Sequence, residues 1–448
     1  MSWSLVAALL SIGSPTAPAP MPWALRYIDL RISVDPAARR IQGIARLAVS
    51  ARPGAASLVL DLADSMVVDS ARVIEPARLA TIRGVREPGH IGFPIPAAAA
   101  GAGYRVAVWY HGQPARSAVG FGSGQPSTRG ASYGVPGSAM QWWPTLDQPS
   151  AKADSADIRI TASAALVAVS NGRQVDRVAT ADGKSATTHW TVRHPIYSDV
   201  VSFAIGDYTV TRSTVALANG RRLPLEWYVF PEDSAKAAAD FAPVPAILAF
   251  YEERLGAYPF GDEKYALVEI ARPSFREGQT LSHLGAALLT GKHDNEQVFA
   301  HEVAHQWFGN SLTVKSWEEI WLNESLSEYM AWQWIRKSQG EKSYETLIDS
   351  ARTAPVAAAM VPANPADFNS LFGNATFQRG PAVLVLLERE IGSHAFVAAV
   401  RAYVAEHAHG TVATADLQRA CEKASGRSLD AFFAQWIRGT TKLLGPLY

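Results

Sequence analysis

Two histidines four residues apart, His301 and His305, with a carboxylate between them at Glu302, oblige this chain to build around one helix. On a helix, positions i and i+4 fall on one face, so two imidazoles can address a single point. Glu302 lies about a third of a turn away, near enough to hold a metal-bound water without being a ligand. That is the chemical sense of H-E-x-x-H: two zinc ligands and a general base. Zinc brings the pKa of its water to roughly 7, and the carboxylate takes the proton as the water attacks a carbonyl. Glu324 follows His305 after an eighteen-residue gap, inside a second helical pattern running from Trp321 to Lys337. It is the candidate third ligand, which leaves the fourth position open for water, as catalytic zinc requires. The spacing thus demands two helices side by side. It predicts one Zn²⁺ per chain, held by His301, His305 and Glu324, with Glu302 as the catalytic base.

The flanking residues set the limits of the first helix. Asp294 followed by Gln297 reads as a capping box, and Gly309 with Asn310 reads as a stop. Val298, Val303, Ala304, Trp307 and Phe308 supply an apolar side, so the helix is expected to be buried. Metal-bound imidazoles usually donate their other N–H to a carboxylate or carbonyl. Glu328, four residues after Glu324 and on its face, is the first candidate for that role, and Glu319 the second.

At HEVAHQWFGN (His301–Asn310) and SWEEIWLNES (Ser316–Ser325) the chain resembles the zinc signature of the aminopeptidase N family of gluzincins, which includes the leukotriene hydrolases. The resemblance implies an α+β multidomain protein: a β-rich saddle or sandwich, then a thermolysin-like α/β catalytic domain ending in helices. It also implies hydrolysis of peptide substrates. WWPTLDQPSAKAD (Trp142–Asp154), SNG (Ser170–Gly172) and VSFAIGDY (Val201–Tyr208) resemble landmarks of the family's N-terminal domain. YPFGDEKYALVEI (Tyr258–Ile270) resembles the start of the catalytic one. Longer members continue beyond these two domains into a β-sandwich and a helical array.

The pattern along the chain agrees with that division. Tyr27–Val34, Ile41–Val49, Leu58–Leu62, Tyr104–Tyr110, Ile158–Thr161 and Val200–Thr211 alternate or run apolar between turn clusters, as strands do. A strand over Leu225–Phe230 and a helix over Ser234–Leu255 follow. Helices are then expected at Tyr344–Ala359, Phe377–Ile391, His394–His407, Ala415–Ala424 and Leu429–Arg438. The expected domains are residues 23–212 and 213–448, behind a leader or export signal at 1–22. Leu5–Leu10 is apolar and a Ser/Pro/Ala-rich run follows it, but no Lys or Arg precedes Arg26. Export to a periplasm-like compartment and retention in the cytoplasm both stay open. The apolar run is far short of the ~20 residues of a membrane span.

Lys and Arg number 41, as do Asp and Glu, which gives no case for nucleic acid or anionic membrane as partner. The single cysteine, Cys421, excludes an intramolecular disulfide and a thiolate zinc cluster; it reads as a small half-buried apolar residue.

The chain departs from the family pattern in two places. Family aminopeptidases hold the substrate's amino terminus with the glutamate of a G-A-M-E-N motif. The corresponding stretch is FREGQTLSHLGAALLT (Phe275–Thr290), where Gly278 matches but the Glu and Asn positions fall near Leu281 and Ser282. A second anchor falls near Val135, which is apolar. A buried ammonium needs a paired carboxylate, which leaves Glu277 as the acid nearest the motif. The other departure is at ATFQRG (Ala375–Gly380), which resembles the family's Y-E-K-G. That tyrosine donates a hydrogen bond to the developing oxyanion, and here its place is taken by Phe377. Loss of one such donor typically costs about 10²–10³ in turnover; His283 and Tyr329 are the candidate replacements. The substrate-binding candidates are therefore Gly278, Glu277, His283 and Phe377. The leading expectation is an aminopeptidase-type zinc metallopeptidase. An endopeptidase, or a hydrolase of blocked or non-peptide amides, and a catalytically weak zinc-stabilised binding protein stay open beside it.

Overall fold

The structure, a computed structural model, describes residues 21–75, 80–95, 98–122, 128–132, 137–272, 275–354, 359–361 and 372–443. The leader region up to residue 20 and the Val135 position lie outside them.

Alternation of buried and exposed side chains dominates the first half of the chain. Ser155–Ser163 and Ser185–Val192 bury every second residue, the mark of strands with one face on a core. They belong to an eight-stranded sheet. At its centre Trp23–Asp35 pairs antiparallel with Arg40–Ala51 and parallel with Ser155–Ser163, Tyr27 opposite Ser155. Smaller sheets accompany it, among them Val167–Ser170, Phe203–Gly206, Gly130–Ser132 and Val119–Phe121 in one of four strands. A β-rich first domain is therefore present, with more strands than the apolar runs indicated and several of them longer.

The run Val200–Thr211, expected as one strand, is divided. Ser198–Val200 is a 3-10 turn, Phe203–Gly206 belongs to the four-stranded sheet, and Thr209–Ala216 opens the sheet of the second domain. Gly206 sits at the break, where a Cβ would press on the rings of Phe230 and Tyr208. A boundary at residue 212 thus falls inside a strand, and the change of sheet lies between Gly206 and Thr209.

The second domain holds a five-stranded sheet in the order Thr209–Ala216, Arg222–Val229, Tyr265–Ile270, Leu281–Gly285, Phe275–Arg276. Its central strand, Tyr265–Ile270, is buried along its whole length and parallel to both neighbours, as strands covered on both faces are. Phe275–Arg276 is the antiparallel edge. The expected helix Ser234–Leu255 is two, Ser234–Asp240 and Val244–Leu255, because Pro243 begins the second. Later come Trp321–Gln339, Glu341–Thr353, Gly380–Ile391, Ser393–Glu406, Thr414–Ser425 and Asp430–Trp436. The helix expected over Tyr344–Ala359 ends at Thr353, and residues 355–358 lie outside the described set. Cys421 is fully buried and free.

The two domains share one apolar core, and polar groups join them. Asn171 donates to the carbonyls of Val200 and Gln279, Gly172 N–H to Thr280, and the Lys264 ammonium to the Ser170 carbonyl. Gly172 is required there: its φ is +75° and a Cβ would meet the Thr191 carbonyl oxygen at 2.1 Å. Among the described residues no helix is long and apolar enough to cross a membrane.

Candidate active site and metal centre

The helix carrying His301 and His305 runs from Glu296 to Ala304, shorter than its flanks suggested. Asn295, not Asp294, is its N-cap, and no side chain caps it. Gln297 is engaged elsewhere, donating to Glu328, so the expected capping box does not form. His305 stands at the C-cap, and tight turns carry the chain to Gly309, whose φ of +105° is left-handed. The long helix Trp321–Gln339 packs alongside and is buried from Trp321 to Ile335. It owes that to Trp321, Trp332 and their neighbours on every side, and it supplies Glu324 and Glu328.

The hydrogen bonds of the two imidazoles decide where their lone pairs point. His305 Nδ1 lies 3.0 Å from the Phe308 carbonyl oxygen, which can only accept, so that nitrogen carries the proton. His301 Nδ1 donates to Glu328 at 2.8 Å. Both Nε2 atoms are left as acceptors, and they face each other 2.9 Å apart. One carboxylate oxygen, Glu324 Oε2, is 3.5 Å from His301 Nε2 and 3.4 Å from His305 Nε2. Ligands at the usual Zn–N and Zn–O distances lie roughly 3.3 Å apart on a tetrahedron. Facing lone pairs with a shared carboxylate oxygen repel one another unless a cation stands among them, so the donor set fits a divalent metal.

Burial and charge say the same. Desolvation and the neighbouring Glu324 raise the Glu302 pKa, though His305 and His301 oppose them, and its Oε2 has no hydrogen-bond partner. Burial also works against charge at Glu324, but His305 and His301 hold its pKa well below the usual carboxylate range. His305 is buried, which disfavours its cation, yet Glu277 and Glu324 lift it to about 9: the acids call for positive charge at Nε2, carried by a proton when no metal takes that lone pair. Several buried carboxylates thus converge on two imidazoles, an excess of negative charge that a dication would balance. Donor atoms form two overlapping groups, His301–Glu302–His305 and Glu277–His305–Glu324. We take His301, His305 and Glu324 as the holding set because one Glu324 oxygen reaches both imidazoles.

The remaining candidates separate. Glu328 is buried, accepts from His301, Gln297 and the Trp332 indole, and so orients one imidazole. Glu319 does not: its carboxylate accepts from Thr414 N–H and hydroxyl, at the start of the helix Thr414–Ser425. Gly278 is a turn residue whose carbonyl accepts from Gln306 and Leu281 N–H, and a Cβ there would strike the Leu281 carbonyl. Its carbonyl is thus occupied within the turn. His283 is fully buried on the strand Leu281–Gly285 with both ring nitrogens unpartnered. Its neighbour Ser282 lies against the Glu302 backbone, so the alternation of a strand turns His283 to the opposite face. Tyr329 donates to Glu388. Neither is an oxyanion donor. Phe377, half-buried in a π-helical turn Ala375–Arg379, does stand at the site, its ring 6.1 Å from that of His301.

The acid expected near Leu281 is found at Glu277 instead. Its Oε2 lies 3.4 Å from His305 Nε2, and its Oε1 accepts from Tyr197 at 3.1 Å. Tyr197 was not legible in the sequence: it lies in a two-residue strand, where no periodicity can develop.

Two family models match the chain: the peptidase M1 N-terminal domain over residues 25–198 and the peptidase family M1 domain over residues 271–436. Aminopeptidase 2 of Candida albicans is 28% identical over 327 residues, covering 66% of this chain and 33% of the relative. Aminopeptidase N of Lactococcus lactis is 25% identical, covering 67% and 37%. The chain therefore spans about a third of the length of the curated relatives it matches. Among solved structures, an M1 zinc metallopeptidase from Deinococcus radiodurans superposes with a TM-score of 0.83 at 20% identity, over 96% of this chain and 97% of that one.

Proposed function

This chain belongs to peptidase family M1, with the aminopeptidase N type of zinc signature, and from that premise we propose that it is an aminopeptidase holding one Zn²⁺ through His301, His305 and Glu324. The observation that carries the reading is the convergence of two imidazole lone pairs and one Glu324 oxygen. Zinc, when bound, supplies a Lewis acid and lowers the pKa of a coordinated water. Glu302, with one oxygen unpartnered, takes the proton of the attacking water and delivers it to the leaving amine. Glu328 keeps His301 in the tautomer whose Nε2 is free. Glu277 supports recognition of a free amino terminus, as a half-buried carboxylate with one oxygen turned to the metal pocket. Phe377 gives the site an apolar wall and no proton.

Turnover of a free peptide and its N-acetylated form, with and without chelator, tests this. Loss of activity on chelation, with strong preference for the free form, is expected. Equal cleavage of both would make the enzyme an endopeptidase or a hydrolase of blocked amides. No turnover of either by protein with one bound Zn²⁺ would leave the binding-protein reading.

A further inference from the structure

We infer that Tyr197 is a positioning residue that sets selectivity for a free amino terminus, by holding Glu277 with one oxygen tied and the other facing the metal pocket. The inference rests on the aminopeptidase reading above. The Tyr197 hydroxyl donates to Glu277 Oε1 at 3.1 Å, while Oε2 lies 3.4 Å from His305 Nε2. Among the described residues this is the only hydrogen bond the Glu277 carboxylate receives. Glu277 sits just past the short edge strand Phe275–Arg276, with little regular structure of its own to fix it. With Oε1 tied, the carboxylate cannot turn both oxygens to the metal and close the position that water needs. It stays available to an ammonium group.

Tyr197 is itself well anchored. It is 2% exposed, and a tyrosine has only two side-chain torsions to fix. Ile196–Tyr197 pairs with Lys152–Ala153, and Lys152 is the direct register partner of Tyr197. The Lys152 ammonium crosses to the second domain and donates to the carbonyls of Asn310 and Ser311 and to Thr313 Oγ1. One small ribbon of the first domain therefore grips the loop after the histidine helix with one side chain and the anchoring acid with the other.

The test uses zinc-loaded full chain with Leu-Gly-Gly and N-acetyl-Leu-Gly-Gly as substrates. Tyr197→Phe is expected to raise KM for the free peptide about tenfold, the order of one hydrogen bond to a charged group, with kcat nearly constant. Its kcat/KM for the acetylated peptide should not fall. In a Glu277→Gln background the same change should have no further effect on the preference, because the two residues act as a unit. Calorimetric affinity of the Glu302→Gln protein for L-leucinamide should weaken by the same factor on Tyr197→Phe. Equal losses on both peptides, an unchanged preference, or full additivity with Glu277→Gln would each overturn the inference. A wild-type protein indifferent to acetylation would overturn the aminopeptidase reading instead, and the calorimetric shift then decides Tyr197 alone.

Discussion

Phe377 has an aromatic body and no hydroxyl, and it stands beside His301 where a donor to the oxyanion is wanted. Its ring is half-buried, so an added hydroxyl would not be stranded in a dry core. Phe377→Tyr should therefore raise kcat more than it lowers KM, since the new bond forms only as the carbonyl becomes tetrahedral. The gain can approach ~10². Unchanged kcat with a lower melting temperature would assign Phe377 to packing alone. His283 makes the opposite kind of prediction. Burial, its largest influence, keeps its pKa down at about 4 against an ordinary 6.5. The unfolded chain then binds a proton between pH 6.5 and 4 that the folded chain refuses. Stability is present above pH 6.5 and falls as the pH drops towards 4, by roughly 3 kcal/mol from this residue. His283→Leu should flatten that part of the profile in denaturant titrations; an unaltered slope would mean that His283 does not control it.

At the scale of the element, the long helix Trp321–Gln339 does two jobs with one face. Glu324 reaches the imidazole nitrogens, and Glu328, one turn on, holds the back of His301 while accepting from Gln297 and Trp332. The two helices are thus locked in register by the same side chain that fixes a tautomer. Glu328→Gln keeps the volume but removes the charge that makes His301 a better ligand. It should weaken zinc affinity about 10–100-fold, measured by competition with a chromophoric chelator, while the fold persists. Unchanged affinity would reduce Glu328 to a packing role.

For the molecule as a whole, the site is assembled across a domain seam. Lys152 of the first domain is half-buried, and desolvation at the seam brings its ammonium down to about 7, yet three oxygens of the loop 310–313 accept from it. Removing it leaves two buried carbonyls without that donor. Lys152→Met should cost about 1–3 kcal/mol of stability and raise proteolytic sensitivity at the loop after the histidine helix. A variant as stable as wild type and equally resistant would show that the two domains are held by their shared core alone.

Local spacing made each half of the proposed metal set legible, and packing of the helix Trp321–Gln339 against Glu296–Ala304 brought Glu324 to the two histidines. His301, Glu302 and His305 are related by one helical turn, and Glu324 and Glu328 by another, so the placement within each turn survives whatever the rest of the chain does. The β-rich first half was legible for a similar reason, since a strand with one wet face alternates along its own length. Of the two candidates for orienting an imidazole, the first, Glu328, does so, while tertiary packing gives Glu319 to Thr414; the Asp294 capping box fails because Gln297 is drawn across to Glu328. The division of Val200–Thr211 between two sheets leaves no trace in an apolar run. Only the tertiary structure brought Tyr197 to Glu277, eighty residues apart: each lies in a segment too short to show a period, and their contact depends on how one domain seats against the other.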